Sequence, residues 1–415
     1  MTFGKFLGCV MMVVGSAIGA GILATPMVSA FAGFTATVAV ILIMWILLTV
    51  SGLLVVEVCS ALPPTACSFN SMAEKTLGPL GRTVTWVSYL LLLYATLCAY
   101  ISGEPQLISD IVNSVFGMQI PLWLLGILFS TILGSAVFWS TKTVDYLNRG
   151  LIGTKGLLLV TTLVLTVTYI DVNKLFVVEQ GFNQTKHVLA ASPVLLCLFN
   201  YHFVIPSLRM YIGDKPQALK WIIVTGTTLA LIVYLLWLAT TLGTIPLSGA
   251  SNSFTSISQA QDSLGAFIRT FGAIVSNKWV KLSIKCFANI SMTTSFLGVS
   301  LGLFDFLADG FKRPNTRWGR LQTAALTFIP PIIFTIYYPN GFVMALSYSG
   351  VFIAVLCLIL PAIMAYRLRS HTEPAVESPY RVACGKASFA VIIFVGAVFF
   401  VYPILNNLGL LSFMK

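Results

Sequence analysis

Residues 6–31 read Phe6-Leu-Gly-Cys-Val-Met-Met-Val-Val14, then Gly15-Ser-Ala-Ile-Gly-Ala-Gly21, then Ile22-Leu-Ala-Thr-Pro26 and on to Phe31. A segment that only had to cross a bilayer has no use for three glycines and a proline near its centre. In a helix interior Gly costs roughly 1 kcal/mol and Pro roughly 3 kcal/mol. The residues from Phe6 to Val14 make a half-helix of about 13 Å, close to half the hydrocarbon thickness. The glycines therefore fall near the membrane midplane. Irregular backbone is tolerated at that depth only where it is buried in protein or lines a cavity. Paired broken helices of this kind point to a transporter's substrate site.

The composition agrees with a membrane solvent. Of 415 residues, 57% are hydrophobic and 9% charged, against about 25% charged in soluble domains. Nearly every segment is a span, and no stretch is long enough for a soluble domain. The net charge of +11 does not indicate nucleic acid, because the basic residues are dispersed and no basic run carries interleaved aromatics. The eight cysteines, at 9, 59, 67, 98, 197, 286, 357 and 384, form no C-x-x-C pair. They read as small buried hydrophobes, with neither a disulfide framework nor a metal site. His187, His202 and His371 fall in different places. The sequence has no H-E-x-x-H, no G-x-S-x-G and no P-loop, so neither an enzyme nor an ATP-driven pump is expected, and no cofactor. Lys5 and the apolar run after it mimic a signal peptide. We read them as part of the first span, since the apolar pattern continues to Phe31.

Apolar runs of helical length predict an all-α integral membrane protein with eleven spans, at 6–31, 34–60, 84–108, 120–140, 148–169, 189–212, 219–243, 280–308, 320–338, 341–366 and 387–411. Segment 244–279 is Ser-rich and weakly amphipathic, which suits short helices over an entrance. With the N-terminus in the cytoplasm, 16 of the 24 Lys and Arg fall inside and 6 outside, while Lys155 and Lys285 lie within spans. That bias follows the positive-inside rule and puts the C-terminus in the periplasm. The sixth span repeats the peculiarity of the first: Leu195-Leu-Cys-Leu-Phe199-Asn-Tyr-His-Phe-Val-Ile-Pro206 is interrupted midway by polar residues and a proline. Spans one and six are equivalent in a five-plus-five arrangement. Because five is odd, the halves (1–169 and 189–366) have opposite topology, an inverted repeat. The span at 387–411 is extra.

Unwinding at Gly15, Ser16, Ala17, Gly19 and Gly21 frees backbone groups at two half-helix ends. The N-terminal end of the second half favours a carboxylate, and the carbonyls ending the first favour an ammonium or a cation. One zwitterion satisfies both, so an amino acid is the natural ligand. A packing seam built on the Gly15-x-x-x-Gly19 pattern is the alternative, but it explains neither Pro26 nor the second break. At that break, Phe199, Asn200, Tyr201, His202 and Phe203 offer carbonyls for the ammonium and aromatics for a side-chain pocket. His202 reads either as a substrate contact or as a core histidine bonded to a neighbouring helix, and its mid-membrane position favours the first. Lys155 lies about seven residues inside span five, too deep for easy snorkelling. A buried lysine can exchange a proton, and its ammonium can stand where a sodium ion would bind. Lys285, Asn289 and Thr293 share one face of span eight beside Thr294 and Ser295, so that face meets a cavity or another helix. Glu57, Asp305 and Asp309 sit near cytoplasmic span ends. Glu104 sits near an external end with Thr96 and Tyr100 on its face, and Tyr100 is deep enough to line a pocket.

These residues closely resemble the bacterial aromatic amino acid permeases, the tyrosine- and tryptophan-specific proton symporters of the amino acid/polyamine/organocation group. The matching stretches are GSAIGAGILATP (15–26), LCAYISGE (97–104), FNYHFVIPS (199–207), SFLGVSLGLFDFLAD (295–309), GRLQTAALTFIPP (319–331) and YPNGFVMALSYSGV (338–351). The resemblance implies the leucine-transporter-type fold and proton-coupled uptake of an aromatic amino acid across the inner membrane. It places the substrate at Gly15–Gly21 and Phe199–Phe203, and Lys155 matches the span-five lysine of proton-coupled relatives. Thr293 and Thr294 are then near the coupling site. The family commonly has a small residue on each side of the span-six histidine, where this chain has Tyr201 and Phe203. Tyrosine is favoured over tryptophan as substrate. Sodium symport or amino acid exchange on the same fold stays open beside proton symport.

Overall fold

The bilayer requires each backbone amide and carbonyl to be satisfied within the protein, and the chain answers with helices throughout. A computed structural model describes residues 2–63, 67–139, 141–176, 184–249, 251–275, 277–314, 316–370 and 380–407, among which there is no strand. His371 and the last residues of the expected eleventh span lie outside them. The helices are α1 (Phe3–Ala17), α2 (Gly21–Ser29), α3 (Phe34–Ala61), α4 (Phe69–Phe116), α5 (Leu122–Trp139), α6 (Thr141–Thr166), α7 (Val172–Leu175), α8 (Gln184–Leu196) and α9 (Ile205–Ile212). They continue with α10 (Pro216–Thr244), α11 (Phe254–Gln259), α12 (Ser263–Ile274), α13 (Lys278–Gly310), α14 (Arg317–Tyr337), α15 (Phe342–Ile353), α16 (Leu360–Ser370) and α17 (Lys386–Asn407).

Among the described residues, nine helical segments are long and apolar enough to cross a membrane, and counting the bent pair Phe3–Ala17 and Gly21–Ala32 as one span gives ten. That pair is bent by 50°. The expected ninth span at 320–338 is helical as α14 but more polar, carrying Arg320, Gln322 and the pair Pro330-Pro331. Large apolar side chains such as Ile132, Val160 and Phe394 face outward, as a lipid-facing surface requires. The expected third span at 84–108 is the middle of α4, which is interrupted near its start by Gly78 at φ 75°. Segment 244–279 does hold short helices, α11 and α12. Gln106 Oε1 of α4 accepts from Leu264 N at 3.0 Å, and Arg269 of α12 pairs with Asp110 at 2.9 Å.

Two close approaches fix the middle of the bundle. A π-helical turn at Ala354–Ile359 joins α15 to α16. A turn of that kind disturbs the regular hydrogen-bond ladder, and Ser51 Oγ of α3 donates to the Cys357 carbonyl there. On the same helix α3, Gly52 faces the Tyr201 ring so closely that a Cβ at 52 would stand 2.1 Å from the Tyr201 oxygen. Tyr201 Oη donates to Leu48 O at 3.0 Å.

At the other end of α3, Glu57 is almost fully buried. Its carboxylate takes Arg369 of α16 in a bidentate pair, with both bonds at 2.7 Å, and accepts Val382 N at 2.8 Å. Arg369 also donates to the carbonyls of Cys384 and Val382, each at 2.9 Å. A buried, fully hydrogen-bonded pair costs about 3–5 kcal/mol when one partner is removed, because the other charge is stranded. Glu57→Ala is therefore expected to lower the thermal unfolding midpoint of the purified protein strongly. Glu74→Ala, which breaks the exposed Arg82–Glu74 pair, should leave the midpoint within error, as exposed pairs contribute about 0–1 kcal/mol.

Candidate functional site

The first break is shorter than the glycine pattern predicts. Gly15, Ser16 and Ala17 remain in α1, and only Ile18, Gly19 and Ala20 leave the helix before α2 begins at Gly21. Helical geometry survives Gly15 because one glycine costs only about 1 kcal/mol. The turn is held by Ile18 N to Val14 O at 2.8 Å and Gly19 N to Ala17 O at 2.9 Å. Pro26 lies within α2. At the second break, 3-10 turns at Cys197–Phe199 and His202–Val204 flank Asn200 and Tyr201. Pro206 is in the first turn of α9, where its missing N–H costs nothing.

The two breaks are tied together. Tyr234 of α10 is fully buried, and its hydroxyl lies 2.7 Å from Ala17 O and 2.9 Å from Leu198 O. One donor thus serves the freed carbonyls of both broken spans. Lys155 of α6 takes the next carbonyl, donating from Nζ to Ile18 O at 3.0 Å. Two of the carbonyls expected to be free for a ligand are therefore already engaged by side chains.

A cavity of about 660 Å³ opens beside these groups, within the size range of small-molecule sites. It is lined by one face from each of several helices. Gly8, Met11, Met12, Gly15, Ser16 and Gly19 come from the first span, Tyr89, Leu92, Leu93, Thr96 and Tyr100 from α4, and Asn148, Ile152 and Lys155 from α6. Thr294, Ser295, Gly298, Val299 and Gly302 come from α13, and Asn200, Phe203 and Val204 from the second break. Lys155 is the one charged side chain among the described lining residues. Tyr100 and Ser295 stand beside each other on the cavity wall. Phe203 packs on Tyr89 with ring centroids 4.8 Å apart, which gives the cavity an aromatic wall.

The expected site residues divide accordingly. Gly15, Ser16, Gly19, Tyr100, Lys155, Asn200, Phe203 and Thr294 meet at the cavity. Ala17, Gly21, Phe199, Tyr201, His202 and Thr293 are not among its lining residues. Phe199 packs edge-on against Tyr234 at 5.6 Å. Thr293 lies near the buried Glu104 of α4. His202 is fully buried with its ring stacked on Tyr201 at 4.7 Å. Leu48 O lies near that ring but accepts from Tyr201, and neither His202 nitrogen has a hydrogen-bond partner among the described residues. Sequence reasoning missed Tyr89, Asn148, Tyr234 and the small stripe Gly298–Gly302. Extending the Tyr100 face back by helical steps through Thr96, Leu93 and Leu92 reaches Tyr89, and a lone tyrosine inside the apolar run of α10 needed a buried partner.

A helical membrane bundle with paired broken spans around a polar-floored, aromatic-walled cavity is the architecture of a solute permease. The sequence profile of the tryptophan/tyrosine permease family matches residues 2–403. The chain is 34% identical to tyrosine-specific transport system 2 of Haemophilus influenzae, covering 98% of each sequence. It is 33% identical to the tryptophan-specific transport protein of Pseudomonas aeruginosa, over 88% of this chain and 87% of the other. It is 29% identical to the low affinity tryptophan permease of Escherichia coli, over 87% and 86%. The chain belongs to the tryptophan/tyrosine permease family, and it is a multi-pass membrane protein.

Removing the Tyr234 hydroxyl strips the shared donor from Ala17 O and Leu198 O. Tyr234→Phe should cost about 1–3 kcal/mol, read as a lower unfolding midpoint in detergent. An unchanged midpoint would show that the hydroxyl is not needed to satisfy these carbonyls.

Proposed function

We propose that this protein imports an aromatic L-amino acid, tyrosine before tryptophan, together with a proton, across the bacterial inner membrane by alternating access. The observation that carries the reading is the cavity itself: it meets both breaks, has one cation at its floor, and has Tyr89, Tyr100 and Phe203 on its walls. The names of the tyrosine- and tryptophan-specific relatives support the substrate class. In this reading the substrate carboxylate lies against the amides that begin α2, where the helix dipole favours an anion. Its ammonium meets the carbonyls around Gly15, Ser16 and Asn200, and its ring lies on the aromatic wall. Thr294 and Ser295 complete the far side. Tyr201 and His202 stand behind this surface and hold its shape, with Ala17, Gly21 and Phe199.

Lys155 is the coupling group in this proposal. Its ammonium sits on Ile18 O, at the carbonyl end of the first half-helix, where a bound cation is otherwise favoured. Loss of its proton removes the charge that strengthens the bond to that carbonyl and loosens the break, so protonation and the geometry of the substrate site are linked. Sodium symport on the same fold is the competing reading, favoured by Thr293 and Thr294. The fold is proposed as eleven spans, α14 being the ninth, with a five-plus-five inverted repeat. With the N-terminus in the cytoplasm, the cavity runs toward the inner side, where Met11, Met12 and Ile152 are about half exposed. The contacts of α12 with Gln106 and Asp110 then close the outer side.

In sodium-free proteoliposomes, an inward proton gradient should drive accumulation of labelled tyrosine, with tryptophan and phenylalanine competing and leucine not. Uptake that requires sodium would overturn proton coupling. Lys155→Ala should bind substrate but fail to concentrate it under the gradient, and continued concentration would remove Lys155 from the coupling role. A Cβ at Gly19 would meet only Ser295 Oγ, at 3.7 Å, so Gly19→Ala should keep measurable uptake. Gly19→Leu should lose it while still inserting in the membrane, and normal tyrosine uptake by that variant would sink the site assignment.

A further inference from the structure

Away from the cavity, at the far end of α3, two thiols and a guanidinium converge. Cys59 is in the last turns of α3, Cys67 precedes α4, and Arg209 belongs to α9, the second half of the broken sixth span. Both cysteines are free. Cys59 Sγ lies 2.7 Å from Cys67 Sγ, with Cys59 as donor, and in the thiol form Cys67 Sγ donates to the Cys59 carbonyl at 3.1 Å. Arg209 Nη1 donates to Cys67 Sγ at 2.7 Å, to Leu62 O at 2.8 Å and to the Cys59 carbonyl. The other side of the guanidinium is paired with Asp214, Nε to Oδ1 at 2.6 Å. Arg209 thus ties the end of α3 to the second half of the broken span, with Cys67 as one of its acceptors.

A sulfur that accepts hydrogen bonds from both a thiol and a guanidinium is stabilised as thiolate. For Cys67 the hydrogen bond from Cys59 and the charge of Arg209 lower the thiol's ordinary value, against burial, which raises it. The second sulfur is already in position to resolve an oxidised first one. Both thiols and Arg209 are buried, and the cluster meets water at Asp214, 61% exposed on the far side of Arg209. Hydrogen peroxide, scarcely larger than water, suits such a site.

We propose that Cys59 and Cys67 are a redox modification site, closing to a reversible disulfide on contact with a hydroperoxide and thereby slackening Arg209's hold between α3 and α9. The Cys67 thiolate attacks one peroxide oxygen. The O–O bond breaks, leaving Cys67 sulfenic acid and a hydroxide that takes up a proton to become water. The Cys59 sulfur then attacks the Cys67 sulfur, the S–O bond breaks, and the departing oxygen leaves as water with the proton from Cys59. Two thiols lose two electrons and one peroxide becomes two waters. The disulfide no longer carries the negative charge that Arg209 holds. Because α9 continues the span that lines the cavity, oxidation slows uptake. That last step rests on the permease function, whereas the thiol chemistry does not.

The test uses the purified full-length protein, treated with hydrogen peroxide and then denatured and alkylated for peptide mass analysis. Cys59 and Cys67 should lose alkylation together, with a joined peptide that a phosphine reductant separates. Cys98 and Cys286, which serve as internal controls, should stay alkylated. Cys59→Ser should leave a Cys67 sulfenic acid that dimedone traps, and Arg209→Gln should slow the reaction about tenfold or more by removing the stabilising charge. Oxidation of the pair no faster than of the control thiols, or of each cysteine independently, would overturn the proposal. In proteoliposomes, peroxide should reduce tyrosine uptake several-fold, reversibly, and Cys67→Ser should be insensitive to it. A disulfide that forms without changing uptake would remove the regulatory part. Absence of aromatic amino acid uptake from the reduced protein would instead count against the permease reading and leave the thiol result standing.

Discussion

A broken helix inside a membrane leaves carbonyls that water cannot reach, and here the Tyr234 hydroxyl meets that demand at two breaks at once. Its distances of 2.7 Å to Ala17 O and 2.9 Å to Leu198 O join the interrupted first and sixth spans through a third helix, α10. An unpartnered buried carbonyl is costly in any low-dielectric setting. With Tyr234 and Lys155 in place, the chain can keep both interruptions and still fold. The cavity exists because those interruptions are affordable in energy, and its floor is the Lys155 ammonium on the carbonyl that follows.

The helices divide into those that carry the cavity and those that fix its frame. The first span, α4, α6 and α13 each contribute one face, stepping by three and four residues as helical geometry dictates. Around them, α3 acts as a post. Its middle is fitted to Tyr201 and to the π-helical turn before α16, one end is clamped through Glu57 and Arg369, and the same end meets Arg209. The buried ion pair of Glu57 with Arg369 therefore stiffens one end of α3, while the pairs on α4, Arg82 with Glu74 and Asp110 with Arg269, are more exposed.

Much of this was legible in the chain. Gly19 announced the first break and Pro206 the second, since few residues are so costly inside a span, whereas Pro26 is held within α2. Lys155 stood out for its depth, and Tyr100 for its place on a polar face. Less legible was the extent of unwinding, because glycine permits a break without dictating where it falls, and α1 ran on through Gly15 and Ser16. The orientation of consecutive aromatics was also hidden. Phe203 turns to the cavity, while Tyr201 turns to α3 and takes His202 with it. Nothing in the order Tyr-His-Phe says which ring faces which way, because 3-10 turns rotate neighbours differently from an α-helix. The span at 320–338 shows another limit, as paired prolines and an arginine lower its apolar character without preventing a helix.

The fit of Tyr201 against Gly52 also constrains how this chain can change over generations. A methyl at 52 would collide with the ring's oxygen, so with tyrosine at 201 most replacements at 52 are closed. Reduction of the ring at 201 would open them, but would first leave a void beside the second break. The sequence of events is therefore directional: a lineage must shrink 201 before it can enlarge 52, passing through a less compact intermediate. Two positions about 150 residues apart in the sequence, joined by close packing and by the Tyr201–Leu48 hydrogen bond, are in this sense inherited as one.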